Sequence, residues 1–177
     1  MNVSIKPSVF LIDVDGVMTT GHFIYTENGK SMKIFGPDDH DGLSLLKKFL
    51  KIEFVTGDTS GLNITKKRIV DDMKFPLHVV STIKRINWIN DHYNPNEVIY
   101  MGDGIFDHYV FKKIGYSIAP KNADQLSKNL ADYVTERKGG DRAVAEACLH
   151  ILEKFFTPYD PEKLPDSGTS FSGQWNA

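Results

Sequence analysis

The 177 residues include one cysteine, so no disulfide can form within the chain, which is consistent with a reducing compartment. No run of Lys and Arg makes a basic stripe, and the formal net charge is only -2. Nucleic acid and anionic membrane surfaces are therefore not expected as partners. No stretch approaches the roughly 20 apolar residues that a membrane-spanning helix requires. The first sixteen residues, MNVSIKPSVFLIDVDG, hold a short apolar run broken by an acidic pair, which does not read as a signal peptide. Internal repeats are lacking, and so is any insert long enough for a cap domain. Together these absences predict a soluble cytoplasmic protein.

What is present is an ordinary globular balance, 41% hydrophobic and 25% charged, in a chain long enough for one domain with a real core. The lone Cys148 sits in the apolar-periodic stretch Ala143 to Ile151, which predicts a buried thiol rather than a nucleophile. Short apolar runs of strand type recur at Ser8–Ile12, Lys51–Val55, Leu77–Val80, Val98–Met101 and Gly115–Ala119. Segments of helical period lie between or after them: Asp41–Phe49, Ser60–Met73, Ile83–Tyr93, Ile105–Lys113 and Asp141–Phe156. Such alternation predicts an α/β fold, a Rossmann-like parallel sheet with helices on both faces, over residues 1–156. Residues 157–177, rich in Pro, Gly and Ser, predict an extended or disordered tail.

In such a sheet, ligands bind beyond the carboxyl ends of the strands, and there the polar residues gather. Asp13-Val14-Asp15-Gly16 follows the first strand, Thr56-Gly57-Asp58 the second, and Gly102-Asp103-Gly104-Ile105-Phe106-Asp107 the fourth. Lys84 lies near the start of the third helical segment. Carboxylates supply hard oxygen ligands of the kind Mg²⁺ takes while keeping waters. One carboxylate can attack phosphorus while another handles the proton of the leaving group. A hydroxyl at Thr56, an open amide at Gly57 and an ammonium at Lys84 suit phosphoryl oxygens. Each has a plainer reading: turn caps for Asp13 and Asp15, a strand-end Thr56, and a solvated Lys84 beside Arg85. Helix capping explains Asp38, Asp39, His40 and Asp41 as well as substrate binding does. Arg137, Lys138 and Arg142 read equally as anion contacts or as solvated surface, and Trp88 and Phe111 as core.

Taken in order, DVDGVMTTG, VTG, Lys84 and GDGIFD resemble the four motifs of the haloacid dehalogenase superfamily of aspartyl phosphatases. The resemblance runs from about Val9 to Leu152. The short insert after the first motif and the ending GGDRAVAEACLHILE resemble the 3-deoxy-octulosonate 8-phosphate phosphatase group, which lacks a large cap, forms tetramers and serves surface-carbohydrate biosynthesis. The resemblance implies Asp13 as nucleophile and Asp15 as acid and base. It implies Mg²⁺ held by Asp13, the Asp15 main-chain carbonyl and Asp103, with Thr56, Gly57 and Lys84 on the phosphoryl group and Asp107 supporting. The implied function is hydrolysis of a small phosphorylated sugar or a related surface-polysaccharide precursor. Two other readings stand beside it: a phosphomutase, and a non-catalytic oligomeric partner that keeps the fold.

Two positions depart from the subgroup. Asp58 stands where a basic residue is usual, which predicts repulsion of a sugar acid. Gly104 stands where a second carboxylate is frequent, which predicts a looser metal shell. Residues 22–35 read as a β-hairpin flap turning at Asn28-Gly29, with Glu27 opposite Lys30. That register lines Phe23, Tyr25, Met32 and Ile34 along one side, a strip for association into a homo-oligomer, which the resemblance implies is a tetramer.

Overall fold

A computed structural model describes residues 6–165. In chain order, β1 (Val9–Asp13) leads to a hairpin, β2 (Thr19–Thr26) and β3 (Gly29–Phe35), and then to α1 (Asp39–Leu46). Next come β4 (Lys51–Thr56), α2 (Leu62–Lys66), β5 (Leu77–Val79), α3 (Arg85–His92) and β6 (Val98–Met101). The rest is α4 (His108–Phe111), β7 (Tyr116–Ala119), α5 (Gln125–Leu130), β8 (Tyr133–Val134) and α6 (Ala143–Phe155). Six strands form one parallel sheet in the order β5-β4-β1-β6-β7-β8, and β2 and β3 form a separate two-stranded sheet. The predicted Rossmann-like α/β fold is the fold observed.

The unbroken apolar run of β1 follows from its central place in a sheet covered on both faces. Phe10 and Ile12 join Phe54, Ile99 and Met101 under α1 and α6, where Leu43, Leu46, Ala147 and Ile151 are buried. Val9 and Leu11 point the other way, to Val98, Tyr100, Ile86, Ile89 and Phe111. Cys148 is buried in the first of these cores, as expected. Trp88 is not fully buried; it packs between the rings of His78 and His92. No helix of the described residues is long and apolar enough to cross a membrane.

Several expectations needed correction. The helix expected at Ser60–Met73 is the short α2 followed by a wider helical stretch over Lys67–Asp72. Only His108–Phe111 of the predicted Ile105–Lys113 is α-helical. Neither α5 nor β8 was foreseen. β8 has two residues, too few for a period-2 pattern to register, and it is held from outside the strand. The Asp132 carboxylate accepts from Ser117 N at 2.8 Å and Ser117 Oγ at 2.7 Å, and Asp132 N donates back to Ser117 Oγ. Asp39 is buried and accepts from Ala145 N at 3.0 Å, so it serves the first turn of α6 rather than its own helix. Burial pushes its carboxyl up to about 7. Arg142 lies on the solvated surface, one of its two expected readings, where it pairs with Asp38. Thr157–Pro165 holds no helix or strand, and residues 166–177 of the expected tail lie outside the described residues.

The flap exists, but its register is not the predicted one. Thr26 pairs with Gly29, so Glu27 and Asn28 make the turn, and Gly29 takes a φ of 103° just after it. A positive φ is cheap for glycine, which lets the chain leave the turn at Gly29, one residue earlier than an Asn-Gly centre would. Phe23 faces Lys33, Ile24 faces Met32, and Tyr25 faces Lys30. The predicted single strip is therefore split, since Phe23 and Tyr25 lie opposite lysines and Ile24 opposite Met32.

Replacing Asp132 with Ala strands the buried Ser117 donors. The expected cost is about 1–3 kcal/mol, read as a lower urea midpoint with an unchanged slope; a midpoint equal to that of the parent would show that β8 does not depend on this contact.

Candidate active site

Asp13 is the last residue of β1, and the chain then turns through Val14–Met18. The turn is fixed from within: Thr19, fully buried, accepts from Gly16 N and Gly21 N at 3.2 Å each. Asn122 secures it from outside by donating to Gly16 O at 3.1 Å while accepting from Gly139 N at 2.6 Å. Gly16 has a φ of 90°, and a Cβ there would stand 1.9 Å from Asp103 Oδ2. Only glycine allows the first loop to lie against the loop after β6.

That approach gathers the carboxylates. Oxygens of Asp13, Asp103 and Asp107 all lie within 4.8 Å of one another. Burial, opposed by Arg85, pushes the Asp13 carboxyl up to about 7. Burial and the neighbouring charges of Asp13 and Asp107 push Asp103 up to about 8. Asp107 is already engaged, accepting from the Tyr100 hydroxyl at 2.7 Å and from Gly104 N at 2.8 Å. Asp13 and Asp103 are thus the better-placed pair for a cation, and Asp107 braces the loop that carries Asp103. A hard divalent ion fits this set: it takes carboxylate oxygens and favours the ionised forms of Asp13 and Asp103 that burial disfavours.

The cation beside the cluster is Arg85, not the predicted Lys84. Arg85 is fully buried, with Nη1 3.3 Å from Asp13 Oδ1 and 3.5 Å from Asp107 Oδ1. It also donates to the Tyr100 hydroxyl and to Val80 O. Lys84 is exposed and lines a different cleft with His78, Trp88 and Asp91. The signal was present: Arg85 stands four residues before the buried Ile89 on α3, which shares its helix face, whereas Lys84 precedes the helix.

Asp15 lies nearby under the flap. Lys33 Nζ sits 2.7 Å from its Oδ1 and 2.9 Å from its Oδ2. Thr56 Oγ1, buried at the end of β4, donates to Asp15 Oδ2 at 3.4 Å and accepts from Asp58 N at 3.1 Å. Gly57 is exposed on the wall of a crevice of about 450 Å³ that Asp13, Asp15, Phe23 and Phe106 also line. Asp58 does not face this crevice as a lone charge. Its Oδ2 is 2.6 Å from Lys30 Nζ and 2.8 Å from Lys33 Nζ. Burial would push its carboxyl up, but the hydrogen bonds from the two lysines outweigh this and hold it well below the usual carboxylate range. The predicted repulsion of a sugar acid therefore loses its basis. Neither flap lysine was legible as a site residue: the expected hairpin register gave Lys30 only Glu27 as a partner and set Lys33 on the other side from Phe23.

Residues 78–147 match the model of the haloacid dehalogenase-like hydrolases. The 3-deoxy-D-manno-octulosonate 8-phosphate phosphatase KdsC of Salmonella typhi is 30% identical over 154 residues, covering 81% of this chain and 78% of that protein. Among solved structures, the cobalt-bound deoxy-D-mannose-octulosonate 8-phosphate phosphatase of Haemophilus influenzae superposes with a TM-score of 0.73 at 26% identity, covering 85% of this chain and 90% of that one. The octulosonate 8-phosphate phosphatase of Moraxella catarrhalis, solved with magnesium, phosphate and KDO, gives 0.71 at 24% identity, covering 85% and 88%.

Protons compete with any cation for Asp13 and Asp103. With carboxyls at about 7 and about 8, both groups are largely protonated below that range and ionised above it. Apparent Mg²⁺ affinity should therefore rise between about pH 6 and 9, with proton release on binding. Calorimetry in two buffers of different ionisation enthalpy measures both, and an affinity flat across this interval would contradict the assignment.

Proposed function

Since the chain belongs to the haloacid dehalogenase-like hydrolases and is a phosphatase, we propose that it hydrolyses the phosphomonoester of a small sugar acid through a phospho-aspartate on Asp13. The observation that carries this reading is the convergence of Asp13, Asp103, Asp107 and Arg85 at the ends of the central strands. A related chain 30% identical is an octulosonate 8-phosphate phosphatase, and here Asp58 is neutralised by Lys30 and Lys33. An acidic sugar phosphate of that kind, a precursor of surface polysaccharide, is accordingly the substrate proposed.

Asp13 attacks phosphorus with one carboxylate oxygen, and the bond to the sugar oxygen breaks. Asp15 gives its proton to the departing alkoxide. Water then attacks the phosphorus of the aspartyl phosphate while Asp15 takes a proton from it, so that Asp13 and inorganic phosphate are released. Arg85 balances charge on Asp13 and on the phosphoryl oxygens brought against it. Thr56 holds Asp15 from the side of β4, and the open backbone at Gly57 leaves room for the phosphoryl group. Asp13, Asp103 and the Asp15 carbonyl would hold Mg²⁺, which supplies Lewis-acid neutralisation of phosphoryl charge when bound. Asp107 keeps the Asp103 loop and Arg85 in register.

The proposed assembly is a homotetramer. Its support is the flap, where Ile24, Met32 and Ile34 remain exposed on a two-stranded hairpin that is marginal alone in water. A second copy of the chain would cover them.

Asp13→Asn should lower phosphate release from octulosonate 8-phosphate by at least about a thousandfold while leaving the unfolding curve cooperative. Chelation should have a comparable effect on the parent protein. Near-normal turnover in either case rejects the mechanism, and equal kcat/KM for a neutral hexose phosphate rejects the acidic-sugar assignment. Light scattering behind size exclusion should give four copies per particle, with Met32→Asp lowering that number; a parent monomer at micromolar concentration removes the tetramer.

A further inference from the structure

Lys30 and Lys33 stand three apart on β3, and an unbroken strand would send them to opposite faces. The strand is broken. Met32 pairs with Ile24 and Lys30 with Tyr25, so Ser31 has no cross-strand partner. Its hydroxyl donates instead to Ile24 O at 3.0 Å. One extra residue reverses the alternation beyond it, and both ammonium groups come to the same oxygen, Asp58 Oδ2. Lys30 also lies 3.5 Å above the ring of Phe23. Lys33 extends further, to both oxygens of Asp15 and to Thr65 Oγ1 at 2.8 Å. Its side chain has no solvent exposure. A fully buried ammonium persists only where its partners replace the water it has lost, and here they come from three separate elements.

Among the described residues, the Asp15 side chain has, apart from Lys33, only the 3.4 Å hydrogen bond from Thr56. We propose that Lys33 is a positioning residue for Asp15, and that Lys30 and Asp58 latch the flap so that Lys33 reaches it. The proposal rests on the reading of Asp15 as the acid that protonates the leaving group. The acid must stand within hydrogen-bond reach of that oxygen, and a carboxylate free to rotate would lose it. The bulge at Ser31 and the acidic Asp58 are then parts of one device, a flap clamped onto its own active site.

The test compares two aryl phosphates, phenyl phosphate, whose leaving group needs a proton, and p-nitrophenyl phosphate, whose leaving group needs it far less. Since kcat/KM extends only to the first irreversible step, it reads phosphoryl transfer to Asp13 and not the later hydrolysis. Asp15→Asn should lower the phenyl to p-nitrophenyl ratio of kcat/KM by about a hundredfold. In Lys33→Met the same ratio should fall at least tenfold, with Mg²⁺ affinity held. Lys30→Met, which leaves every contact of Asp15 in place and keeps the test open if Lys33→Met fails to fold, should lower it at least threefold. An unchanged ratio in Lys33→Met, or in Lys30→Met where the former does not fold, overturns the proposal even if overall rates drop. An unchanged ratio in Asp15→Asn defeats the acid reading itself, and the proposal with it.

Discussion

Three carboxylates packed within 4.8 Å at the ends of β1 and β6 set the terms for the surrounding structure. Burial disfavours the charged form and neighbouring like charges add to it, so Asp13 and Asp103 stand well above the ordinary carboxylate range. The fold tolerates the cluster because the parallel sheet brings both strand ends to one edge and because Gly16 leaves no side chain between the two loops. A single buried guanidinium, Arg85, offsets part of the charge, and a divalent cation would offset more.

Opposite charge also organises the other wall of the crevice. Lys30 and Lys33 come from the flap, Asp15 from the first loop and Asp58 from the end of β4. These contacts tie a hairpin with little core of its own to the domain beneath it. They leave the faces of the flap chemically unlike each other, with lysines and Phe23 toward the crevice and Ile24 and Met32 exposed. A hairpin alternating in this way can close one active site and still offer apolar surface to another copy of the chain.

The fold was largely legible because five of the six strands of the parallel sheet carried their own signal. Runs such as VFLI and VIYM are buried on both faces, so they appear as continuous apolar segments. Asp13, Asp15, Asp103 and Asp107 were legible too, because a residue directly after a strand is carried to the carboxyl edge whatever the helices do. β8 escaped notice since its stability comes from Asp132 and Ser117 rather than from its own two residues. Arg85 was set aside for its neighbour because one position on a helix is about 100° of rotation, enough to exchange a buried guanidinium for a solvated ammonium.

The amino-acid sequence by itself determined the parallel α/β sheet, the acidic loops at its carboxyl edge and the presence of a hairpin after the first loop. These depend on composition and period within a few residues. Which cation faces Asp13, and how the flap lysines meet Asp15 and Asp58, only the tertiary structure decided. Those contacts depend on helix phase and strand register, where a shift of one residue turns a side chain to another face. The phase of α3 is set by packing of Ile86 and Ile89 against the sheet, and the register of β3 by the Glu27-Asn28 turn and the bulge at Ser31. The first is settled by contacts between elements distant along the chain, the second by turn geometry that the alternation of residues does not reveal.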